Sequence, residues 1–65
     1  MSYKITNLST GREYNVGGFA ESLEMVFRSE MSWLSDGVKV RVTNHTTNES
    51  AVFWKENSKV YQEVR

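Results

Sequence analysis

Apolar residues recur with a period of two at both ends of the chain and with a helical period only in the middle. Between Phe19 and Leu34, at about 100° per residue, Phe19, Leu23, Val26, Phe27, Trp33 and Leu34 fall on one side, and Glu21, Glu24, Arg28 and Ser32 on the other. That pattern predicts an amphipathic helix with one face to bury. Gly17-Gly18 breaks the preceding pattern and supplies an N-cap, and Ser35-Asp36-Gly37 ends the helix, with Gly37 in a left-handed conformation.

The flanking segments alternate as strands do. Tyr3 to Leu8 and Glu13 to Val16 form a hairpin around Gly11, with Tyr3, Ile5, Tyr14 and Val16 turned toward the helix. Leu8 has the opposite parity and marks a bulge or covers the far face. Val38 to Thr43 is the clearest strand: three valines point one way, Lys39, Arg41 and Thr43 the other. A polar loop, 44–49, leads to a fourth strand from Ser50 to Lys55. Phe53 and Trp54 cannot both face the helix there, so one ring belongs on the other side. Glu56 to Lys59 turns the chain into a fifth strand, Val60 to Val64. No repeat or low-complexity segment is read from the chain.

The order ββαβββ predicts an α+β fold, a single domain over residues 1–65, with one helix packed on one face of an antiparallel sheet. Phe19, Leu23, Phe27, Val40 and Ile5 are the expected core. The sheet's other face has no second layer of chain to cover it.

Size sharpens that point. A chain of 65 residues buries only about 60% of its unfolded surface. With no cysteine there is no disulfide or thiolate metal site to reinforce it. Eight aromatics supply compensating area, and self-association would supply more; a homodimer is expected. No signal-like or membrane-length apolar run is found, so the expected setting is cytoplasmic, without a membrane partner, and the chain reads as a complete small reading frame. Net charge is zero, yet unevenly spread: residues 19–36 carry four acids against Arg28, and the remainder carries seven cations against four acids. Asn-x-Ser/Thr triplets at Asn7, Asn44 and Asn48 read as chance occurrences in an Asn/Thr-rich chain.

No catalytic constellation is evident. His45 is the only histidine and falls in the polar loop, without the oriented partner that acid–base work needs; no enzyme activity, metal or cofactor is expected. Glu30 breaks the helix pattern, falling among apolar positions, and calls for solvent at the sheet edge or an ion pair across a subunit or partner boundary. Met25 and Met31 flank the stripe, where methionine can serve an adaptable contact surface.

The strongest lead is the uncovered face, expected to gather Lys4, Lys39, Arg41, Tyr61 and one ring of Phe53 and Trp54. Arginine beside aromatic rings is characteristic of protein-binding hot spots. The leading expectation is a small non-enzymatic module that binds a larger protein and occludes it, in the manner of a phage or mobile-element inhibitor. A single-stranded nucleic-acid-binding module comes second, because open sheets with aromatics and flanking cations also bind bases. A structural homo-oligomer comes third.

Overall fold

The computed structural model describes residues 2–18, 22–30 and 34–63. Expectations for Phe19, Glu21, Met31, Ser32, Trp33 and Val64 lie outside these residues. The described residues hold five strands, β1 (Ser2–Asn7), β2 (Glu13–Gly17), β3 (Val40–Asn44), β4 (Ser50–Glu56) and β5 (Lys59–Gln62), and one helix, α1 (Leu23–Glu30). The strands form one antiparallel sheet in the order β2-β1-β3-β4-β5, and α1 lies across β3 and β4. This is the ββαβββ domain that the alternation predicts. No helix among the described residues is long and apolar enough to cross a membrane.

The helix begins differently from expectation. Ser22, not the glycine pair, caps it: the Ser22 hydroxyl accepts from the Met25 N–H at 3.3 Å and its carbonyl from the Val26 N–H at 3.4 Å. Glu24 and Arg28 pair along the outer surface at 3.2 Å. Gly37 is left-handed, with φ +82°, in the turn joining Ser35 to Val38, and its N–H donates to the Lys55 carbonyl at 2.9 Å. Asp36 ties the same turn to the far hairpin, accepting from the Lys55 ammonium at 3.0 Å and the Asn57 N–H at 3.2 Å. Those bonds hold its pKa below the ordinary 3.8.

Under the helix, Phe27 stacks on Phe53 with centroids 5.4 Å apart, ringed by Ile5, Val40, Val42, Val26, Leu34 and Tyr3. Leu23 is only half-buried at the edge of this core, and Leu8, in the turn after β1, is exposed. Glu30 is half-buried beside the β2 end of the sheet. Burial pushes the Tyr14 hydroxyl above its ordinary pKa, and the Glu30 carboxylate pushes it the same way.

The two longer hairpins are built alike, which corrects the reading that the chain lacks a repeat. Residues 4–11, KITNLSTG, match residues 41–48, RVTNHTTN. In the first loop the Asn7 side-chain oxygen accepts from the Ser9 and Thr10 N–H groups, and the Asn7 carbonyl from the Gly11 N–H. In the second the Asn44 side chain accepts from Thr46 and Thr47, and its carbonyl from Asn48. Gly11 (φ +77°) and Asn48 (φ +63°) take the same left-handed position, where glycine and asparagine are least penalised. Thus Asn7 and Asn44 close loops. Because β1 and β3 pair antiparallel with Ile5 opposite Val42, the hairpins are related by an approximate twofold axis through that residue pair.

Candidate functional site

Strand alternation assigns every side chain to a face once the register is known. Val40 lies opposite Phe53 and Arg41 opposite Val52, so Phe53 belongs to the helix side and Trp54 to the open side. Phe53 is therefore removed from the candidate binding residues: it is buried against Phe27. Trp54 takes the outward place.

The open face carries one well-defined row. Trp54 sits opposite Tyr61 and stacks on it, with centroids 5.8 Å apart and planes 15° from parallel. The Lys39 ammonium lies 4.9 Å from the centre of the Trp54 ring, near enough for the cation to be held by the ring's negative face. Tyr61 is 41% exposed. Beside this row stands Arg41, exposed and without an ion pair among the described residues. It forms one wall of a shallow depression of about 210 Å³ shared with Ser50, Val52, Gln62 and Glu63. Val52, opposite Arg41, is buried although it faces away from the helix. An arginine stem laid along its cross-strand neighbour is one way such a residue is covered.

Lys4 is on the same face but is already engaged. Its ammonium meets the Glu13 carboxylate at 3.2 Å, and Glu13 also accepts from the Thr6 hydroxyl at 3.3 Å. The bond and charge of Lys4 hold the Glu13 pKa below its ordinary value. Of the residues expected to gather here, Lys39, Trp54 and Tyr61 are in direct contact; Arg41 lies one diagonal step along the same face, and Lys4, a further step away, is paired with Glu13.

Two features were missed from the sequence. His45 is hydrogen-bonded at 3.1 Å to the Asn15 side chain, which attaches the second loop to β2. Glu13, Glu56 and Glu63 fall on the open face by alternation, among Lys4, Lys39, Arg41 and Lys59. Only the pairing register reveals either one. Among the described residues the face is thus nearly balanced in charge and apolar along one row. Among protein-family models, curated proteins and solved structures, the chain finds no match.

Proposed function

We propose that the protein is a small non-enzymatic binding module that docks its helix-free sheet face on an acidic patch of a larger protein and occludes that patch. The observation that carries this reading is the Lys39–Trp54–Tyr61 row with Arg41 beside it. Stacking holds the rings before any partner arrives, so little side-chain freedom is lost on contact. Arg41 offers a planar donor fork to a carboxylate, and the rings supply apolar area. Single-stranded nucleic acid is the second reading, favoured by the same stacked rings and disfavoured by the nearly balanced charge.

The test is capture on the immobilised protein after nuclease treatment, comparing wild type with Lys39→Glu/Arg41→Glu and with a helix-surface control, Glu24→Lys/Arg28→Glu. The sheet variant should keep its melting temperature within a few degrees and lose a discrete captured protein, because reversed charge meets like charge on the partner. Capture that persists in the sheet variant but vanishes in the helix control overturns the assignment. Capture that disappears on nuclease treatment moves the protein to the second reading.

A further inference from the structure

The approximate twofold axis exposes an asymmetry at the sheet's ends. By that symmetry β2 corresponds to β4. The outer edge of β4 is covered by β5, with the Glu63 N–H donating to the Val52 carbonyl at 2.9 Å. The outer edge of β2 has no strand beside it among the described residues.

Which backbone groups are left there follows from one bond. The Asn7 N–H donates to the Arg12 carbonyl at 2.8 Å, so that carbonyl and the backbone polar groups of Tyr14 and Val16 face β1. Glu13, Asn15 and Gly17 direct theirs outward. Next to that edge, between β2 and the helix, lies a cleft of about 210 Å³ bordered by Val16, Gly18, Met25, Val26 and Glu30. Met25 is 47% exposed. Among the described residues that border it, Glu30 carries the cleft's carboxylate.

We propose that the β2 edge is a homodimer seam, in which β2 of a second copy pairs antiparallel with β2 about Asn15 to give a continuous ten-stranded sheet. This register uses all three outward-facing residues of each strand, with Asn15 opposite its twin and Glu13 opposite Gly17. On the helix side it sets Tyr14 against Val16, an aromatic–β-branched pair of the kind that stabilises sheets, and puts no like charges opposite one another. It also brings Arg12 of the second copy opposite Gly18, at the mouth of the cleft that holds Glu30. A cation thus meets a carboxylate twice across the axis, with the arginine stem placed to run along Met25. The proposal is independent of the role assigned to the open face. It leaves both copies of that face uncovered on one side of the extended sheet, which would make the docking surface bivalent.

The seam is tested by light scattering across a concentration series and by a single-cysteine variant. Wild type should reach twice the monomer mass of 7.5 kDa. Arg12→Glu should weaken association roughly tenfold or more, and Arg12→Glu/Glu30→Arg should restore it. Asn15→Cys in this cysteine-free chain should cross-link with its twin under mild oxidation, because directly opposed strand residues lie within disulfide reach. Gln62→Cys on the opposite edge should not. A wild type that stays monomeric up to about millimolar concentration, far above the micromolar range of ordinary specific dimers, overturns the seam. So does a dimer in which Gln62→Cys cross-links in preference to Asn15→Cys.

Discussion

Among the described residues each face of the sheet carries one stacked aromatic pair, and the two pairs have opposite fates. On the helix side Phe27 and Phe53 stack at 5.4 Å and 19°; on the open side Trp54 and Tyr61 stack at 5.8 Å and 15°. Phe53 is 1% exposed, whereas Tyr61, across the same hairpin and opposite the neighbouring Trp54, is 41% exposed. The geometries are nearly the same, so stacking does not separate the pairs. Water does. Removing rings from water stabilises the fold, while rings left at the surface contribute less to it.

The largest effect that would break this contrast is the loss of a buried ring. Phe27→Ala should cost about 3–5 kcal/mol, a large part of the stability of a small domain. Trp54→Ala should cost only about 1–2 kcal/mol, the stacking and partial burial it gives up. Urea denaturation of both variants decides this, and equal costs would mean that the open face is part of the folding core. Smaller still, Asn7→Ala and Asn44→Ala should each cost about 1 kcal/mol, the worth of a loop-closing side-chain acceptor. Their effects should match, because the two loops repeat one hydrogen-bond pattern. A clear difference between them would show that the repeat is one of shape without equal energetic weight.

The smallest expected effect depends on pH. Asp36 titrates lower in the folded protein than its ordinary 3.8 because Lys55 and the Asn57 N–H bind its charged form. A lowered folded pKa contributes stability that is present above 3.8 and lost as pH falls through the folded value. Asp36→Asn should therefore lower the melting temperature slightly near neutral pH and flatten its decline below about pH 4. Parallel acid limbs for variant and wild type would remove Asp36 from the acid response and leave Glu13, which is shifted in the same direction.

What the sequence determined by itself was the side on which most strand residues point. Period-two alternation is a property of the extended backbone, so Tyr3, Ile5, Tyr14, Val16, Val40 and Val42 were assignable to the helix side without knowing their neighbours. The placement of Lys39 and Arg41 opposite them followed at once. The presence of the helix was legible from its period, but its extent and cap were not: the described helix covers Leu23–Glu30 of the expected Phe19 to Leu34, with Ser22 and Leu34 outside it, and the bond from the Met25 N–H picks Ser22 over Gly17-Gly18 as the cap.

Tertiary structure decided the rest. Whether Phe53 or Trp54 faces the core depends on how many residues the preceding loop uses, since one more or fewer would turn every side chain of β4 to its opposite face. That count is set by Asn44, whose N–H donates to the Glu49 carbonyl at 2.8 Å. The repeat stayed hidden because few positions are identical and its signature is a hydrogen-bond pattern shared by Gly11 and Asn48, residues alike in permitted φ but not in chemistry. The pairing of β1 with β3 came from beyond the hairpins altogether, from the way the helix returns the chain across the sheet. It set Ile5 against Val42, made the two halves nearly symmetric, and left β2 at an edge where β4 has a strand beside it.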